Sequence, residues 1–211
     1  MSIALSPATE RLVQRLMDYG ERLILSVLFA AFLIRIAPSL AGAPFNWALV
    51  ASESLVVVFV LIRRPAAEVS TRPADWVFGM LGTLLPLLVK PGGAAMIGPP
   101  ALTAFFMLVG LMISIWAKIA LQRSFGIAAA NRGVIESGPY RLVRHPMYAG
   151  YILVQVGFLL GNPSLWNLGV YGAALVFQVA RILAEERLLS ADPAYVELKK
   201  RVRFRLLPPV F

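Results

Sequence analysis

The chain has 211 residues, of which 59% are hydrophobic and 15% charged, with a mean hydropathy of +0.75; soluble domains carry about 25% charged residues, so the composition is that of an integral membrane protein. Cysteine is absent and histidine occurs once, which excludes disulfides, thiolate catalysis and a cysteine- or histidine-rich metal site. The net charge of +9 would suit nucleic acid in a soluble protein, but in a chain this apolar it belongs to membrane topology, and neither nucleic acid nor metal is expected as a partner.

Residues 7–20 alternate charged and apolar positions (Glu10, Arg11, Leu12, Val13, Arg15, Leu16), which predicts a short interfacial helix. The first apolar run, from Leu23, is not followed by a small-residue cleavage site and reads as a retained anchor. Apolar runs lie at about 22–38, 46–62, 76–90, 99–121, 147–161 and 164–183, and each crossing needs roughly 20 residues. Pro/Gly stretches such as "KPGGAAMIGPP" separate them. The fifth run barely reaches across a bilayer, so five or six spans are predicted. Only "GNPS" joins the last two, which predicts a tight antiparallel hairpin. Arg35 and Glu53 interrupt the first two runs at depths matching to within about 5 Å at ~1.5 Å rise per residue, and a charge in lipid is costly unless paired; an Arg35–Glu53 ion pair is expected. Glycines 79, 82 and 110 permit close helix contacts, within the chain or between copies.

Lysine and arginine set the orientation. With a cytoplasmic N-terminus, the inside regions are 1–22, 63–75, 118–146 and 181–211, and they hold 18 of the 20 basic residues, all but Arg35 and Lys90. That asymmetry predicts a multi-pass protein with both termini cytoplasmic, in the inner membrane if the source is bacterial.

The break before the fifth run, "GPYRLVRHPMYAG", contains the single histidine. Pro146 suits the first turn of a helix and biases His145 towards extended backbone. His145 is therefore held at a helix entrance, where free N–H groups and the dipole favour an anion, reinforced by Arg141 and Arg144. Tyr148 and Tyr151 share a helical face, and Gly150 leaves room for close approach to the backbone. The same residues also read as a basic flank with interfacial aromatics. In "RILAEERLLSADPAYVELKKRVRFRLLPPVF" the hairpin returns Glu185 and Glu186 to the side of His145. Arg181 and Glu185 are spaced to pair along one helix, and neighbouring acids point in different directions, which leaves one to face the cleft. The tail reads as an amphipathic helix with Tyr195, Leu198 and Val202 on one side and a basic band on the other, suited to anionic headgroups or to closing a site.

Arg144, His145, Pro146, Tyr148 and Gly150 resemble the Arg-His-Pro-x-Tyr-x-Gly signature of membrane methyltransferases, and Glu185–Glu186 their paired-glutamate motif. The family includes isoprenylcysteine carboxyl methyltransferase and the phospholipid N-methyltransferases, and the resemblance covers about residues 118–205. It implies an all-α, polytopic transmembrane bundle whose C-terminal hairpin and cytoplasmic amphipathic tail enclose S-adenosyl-L-methionine. The chain would divide into N-terminal helices 1–4 (1–117) and a C-terminal cofactor-binding region (118–211). His145, Tyr148, Gly150 and Glu185, with Arg144 and Pro146, would form the cofactor site. Glu186 would lie nearer the reacting centre, and Arg201 and Arg203 would meet a lipophilic acceptor. A carboxylate acceptor needs no base and suits an arginine; an amine must lose a proton, for which Glu186 is the candidate base. Carboxyl methylation of an isoprenylcysteine-like acceptor is the expected activity. Phospholipid amine methylation, an NADPH-dependent sterol-type reductase and a non-enzymatic lipid-binding protein are the alternatives.

Overall fold

The computed structural model describes residues 7–39, 45–64, 66, 68–90, 94–127 and 129–208. The chain is predominantly helical and divides into two compact units, Met1–Ile62 and Arg63–Phe211.

The first unit pairs α1 (Pro7–Ile36) with α2 (Phe45–Leu61). The expected interfacial helix and first span form one unbroken helix of 30 residues, about 45 Å long at ~1.5 Å per residue. No proline falls between Pro7 and Pro38 to stop it. Arg22 pairs with Asp18 one turn earlier at 2.9 Å and donates to the Leu61 carbonyl at 2.9 Å, placing a cation where the α2 dipole is negative. The side chains of Arg35 and Glu53 lie outside the described residues, and so does their expected ion pair.

The second unit contains α3 (Pro73–Leu84), α4 (Pro100–Leu121), α5 (Pro146–Gly161), α6 (Leu165–Leu189) and α7 (Pro193–Arg201). Four of these helices, α3, α4, α5 and α7, begin on a proline, which fills the one helical position where a missing N–H costs nothing. Among the described residues, Pro100–Ser124 and Leu165–Leu189 are long and apolar enough to cross a membrane, while α3 and α5 are shorter apolar helices. Among the described residues, a two-residue antiparallel ladder, β1 (Glu68–Val69) with β2 (Ala130–Asn131), is a departure from helix that the apolar pattern did not announce.

Glycine sets how closely the helices pack. A Cβ on Gly110 of α4 would lie 2.6 Å from the Gly150 carbonyl of α5, and one on Gly150 would lie 2.6 Å from the Gly110 carbonyl. The two backbones therefore touch where they cross, as small residues allow in membrane bundles. Gly79 on α3 is closed in by Ile127, and Gly82 faces Gln178 of α6. All three glycines noted from the sequence thus pack within the chain. The α5–α6 hairpin turns through Asn162–Ser164, where the Ser164 side chain caps α6 by accepting from the Asn167 N–H. Fully buried Asn167 accepts from the Lys90 N–H at 2.9 Å and donates to the Lys90 and Asn162 carbonyls, fastening the segment after α3 to the hairpin.

Candidate active site

His145 is the residue immediately ahead of α5, at φ −131° and ψ 57°, with Pro146 at the first helical position. Steric conflict with the proline ring keeps it out of the helical region, so the imidazole leaves the chain at the helix mouth. The tail fixes this segment from outside: Arg144 N–H donates to the Phe204 carbonyl at 3.0 Å and His145 N–H to the Arg205 carbonyl at 2.8 Å. The tail holds its place because Tyr195, Leu198 and Val202 bury one face against Val134 and Leu189, as the amphipathic pattern predicts.

The paired acids stand at the end of α6, about 100° apart around the helix, and each has its own partners. Glu185 accepts from the Tyr148 hydroxyl at 2.6 Å and from Arg181 Nε at 3.1 Å. The Arg181 guanidinium also lies 5.3 Å from the centre of the Tyr148 ring, within cation–π range. Glu186 accepts from Arg144 Nε at 2.8 Å and from Arg205 Nε at 2.9 Å. Arg144 further donates to the Val202 and Arg203 carbonyls at 2.7 and 2.8 Å. His145 stands between the acids, Nε2 3.3 Å from Glu186 Oε1 and Nδ1 3.8 Å from Glu185 Oε2. Side-chain exposure separates their roles: 5% at Glu186 and 5% at Arg144, against 20% at Glu185. Glu186 is a buried charge neutralised on both oxygens, whereas Glu185 looks into a cleft.

That cleft is lined by His145, Tyr148, Glu185 and Arg144, by Tyr140, Tyr195 and Arg132, and by apolar groups including Met147, Leu189 and Leu198. Burial, and then the nearby carboxylates, push the phenols of Tyr140 and Tyr195 well above their usual range, so both stay neutral and can act as donors.

Several predicted residues fall elsewhere. Gly150 is buried against α4 and Pro146 is enclosed, and neither lines the cleft; what approaches the Gly150 backbone is the Gly110 carbonyl. Arg201 is exposed and bridges to Glu136 at 2.6 Å, and Arg203 is exposed with its carbonyl turned to Arg144. The basic tail residue that does reach the paired acids is Arg205. It lies beyond α7, which ends at Arg201, in a stretch whose sequence gives no sign that it turns back to the acids. Tyr140 and Arg132 carry no local signal, since their place at the cleft depends on the loop fold between α4 and α5.

The cleft is thus polar, lies at the ends of apolar helices and is built beside a buried arginine–glutamate pair. Residues 99–192 match the family model of the phospholipid methyltransferases. The match spans α4 to α6, including His145 and both glutamates, and ends before α7. No curated protein matches the chain.

Proposed function

We propose that the protein is an S-adenosylmethionine-dependent methyltransferase that esterifies a carboxylate on a lipophilic acceptor of the isoprenylcysteine type. The observation that carries the choice of acceptor is the state of Glu186. An amine acceptor must lose a proton, and Glu186, the candidate base, already accepts from Arg144, Arg205 and His145. A carboxylate oxygen attacks without losing a proton, so an engaged Glu186 is no obstacle. In that transfer a carbon–oxygen bond forms, a carbon–sulfur bond breaks and the electron pair remains on sulfur.

The donor set of the cleft fits the cofactor. Glu185 offers a carboxylate to cationic groups, Arg132 and His145 offer donors to a carboxylate, and Tyr140 and Tyr148 offer aromatic faces. When bound, S-adenosylmethionine supplies an electrophilic methyl group. The protein's part is positioning and exclusion of water: Tyr148 and Arg181 orient Glu185, and the tail closes over His145. Gly150 and Pro146 support this arrangement from behind, by letting α5 meet α4 and by setting His145. Arg201 and Arg203 stand outside the cleft, on the face suited to anionic headgroups. The distribution of basic residues supports a multi-pass arrangement with both termini and the cleft on the cytoplasmic side.

Titration calorimetry on detergent-solubilised protein tests the reading. Saturable binding of S-adenosylhomocysteine without NADPH binding is expected. Binding of NADPH alone would replace it with a reductase, and binding of neither with a lipid-binding role.

A further inference from the structure

We infer that Arg132 and Tyr195 form a carboxylate-binding end of the cleft, which takes the carboxylate of the cofactor's amino-acid end or that of the acceptor. The inference rests on the methyltransferase reading for the ligands it names, and on geometry for the pocket. Neither residue belongs to the Arg-His-Pro signature or to the glutamate pair, and Tyr195 lies beyond the family match, which ends at residue 192.

Both side chains line the cleft and both are buried, Arg132 at 5% and Tyr195 at 3% exposure. Arg132 comes from the loop between α4 and α5, directly after β2, and the Ser124 hydroxyl donates to its carbonyl at 3.1 Å. Gly133 then turns the chain at φ 96°, a conformation that suits glycine, and its N–H donates to the Asn131 side chain at 3.0 Å. Tyr195 comes from α7. Two contacts bring that loop and that helix together. The Asn131 amide donates to Asp192 Oδ2 at 2.9 Å, while Asp192 Oδ1 caps α7 by accepting from the Ala194 N–H. Val134 packs against the cluster of Tyr195, Leu198 and Val202.

The chemistry of the two groups is that of an anion site. An arginine fork presents two parallel N–H groups, the pattern a carboxylate accepts. The other guanidinium at the cleft, Arg144, is committed to Glu186 and to two tail carbonyls. The buried Tyr195 hydroxyl stands near Glu186 without a well-directed hydrogen bond to it, and has no other partner among the described residues. Such a group is rare in a folded protein, and a ligand oxygen would complete it. The acids nearby offer little repulsion to an anion, since Glu186 is paired with Arg144 and Arg205, and Glu185 with Arg181. An α-amino acid carries both charges, and the cleft has Glu185 for one and Arg132 with Tyr195 for the other.

Two ligand pairs, each differing by one carboxylate, test the pocket by titration calorimetry on the detergent-solubilised protein. S-adenosylhomocysteine is compared with its decarboxylated analogue, and N-acetyl-farnesylcysteine with its carboxamide. The wild type should prefer the carboxylate member of at least one pair by about tenfold or more, the strength of charge-assisted hydrogen bonds. Preference in the first pair assigns the pocket to the cofactor, and in the second to the acceptor. Arg132→Met should reduce that preference to within about twofold, by weakening the carboxylate ligand and not its counterpart, and Tyr195→Phe should reduce it about threefold. Lys200→Met, which removes an exposed tail charge paired with Glu197, should leave it intact. No preference in either wild-type pair, a preference unchanged in Arg132→Met or in Tyr195→Phe, or equal weakening of both members of a pair would each overturn the inference. Should Arg132→Met fail to fold, Arg132→Lys, which keeps the charge but loses the fork, gives the same comparison. A wild type that binds neither S-adenosylhomocysteine nor its decarboxylated analogue would overturn the methyltransferase reading, and the acceptor pair would still decide the pocket.

Discussion

Replacing Arg144 by methionine is the most informative single change to the protein's architecture. Its guanidinium is 5% exposed and makes three hydrogen bonds, to Glu186 and to the Val202 and Arg203 carbonyls. Methionine keeps much of the volume but leaves Glu186 with one fewer cation and strands two carbonyls under the tail. Removing one partner of a buried ion pair costs about 3–5 kcal/mol, because the other charge is left uncompensated. Arg205 still engages Glu186, which places the expected loss near the lower end, about 3 kcal/mol. Adding Glu186→Gln removes the stranded charge, so the double variant should regain about 1–2 kcal/mol of it. Equilibrium unfolding in mixed micelles, followed by far-ultraviolet circular dichroism, reads both values. A loss below about 1 kcal/mol for the single variant, the level of a surface pair, would refute the claim that this bridge holds the tail over His145.

Tyr148→Phe deletes the 2.6 Å bond to Glu185 and should weaken S-adenosylhomocysteine binding about tenfold by calorimetry, the worth of ~1.4 kcal/mol. His145→Ala and Glu185→Ala should weaken it more, and Glu53→Ala, whose residue lies in the other unit, should leave it within about twofold; equal losses from all three would point to general destabilisation. Gly110→Leu places carbon where the Gly150 carbonyl stands 2.6 Å away, and loss of folded protein on size exclusion is expected. Asp75 sits ahead of the 76–90 apolar run; burial raises its carboxyl, but hydrogen bonds from Arg187 and Ser70 and the Arg187 and Arg72 charges outweigh this and lower it below its usual value. Its contribution to stability is therefore present above about pH 4 and lost as pH falls through the lowered value, so stability between pH 5 and 3 should fall less steeply in Asp75→Asn than in wild type.

Much of this was legible because membrane helices announce themselves by length and apolarity. Five of the six apolar runs correspond to helices starting within about three residues of the expected position, and the "GNPS" turn does join α5 to α6. The first run differs because nothing in 7–20 stops a helix, so amphipathic and apolar stretches fuse. His145 and the two glutamates were found because a proline fixes where a helix begins and a short hairpin fixes where its neighbour ends. The loop residues Tyr140 and Arg132 and the tail residue Arg205 come together through non-local packing, which no periodicity encodes. Gly150 illustrates a physical ambiguity: a missing side chain marks a close approach, and sequence does not say whether a ligand or another helix makes it.

Methyl transfer to a carboxylate leaves a base-labile ester, whereas transfer to an amine does not. Purified protein in lipid nanodiscs is supplied with methyl-labelled S-adenosylmethionine and a farnesylated cysteine analogue, with phosphatidylethanolamine present in the bilayer. Label released as methanol by mild base, the behaviour of a methyl ester, is expected. Label fixed stably on the lipid amine would contradict it.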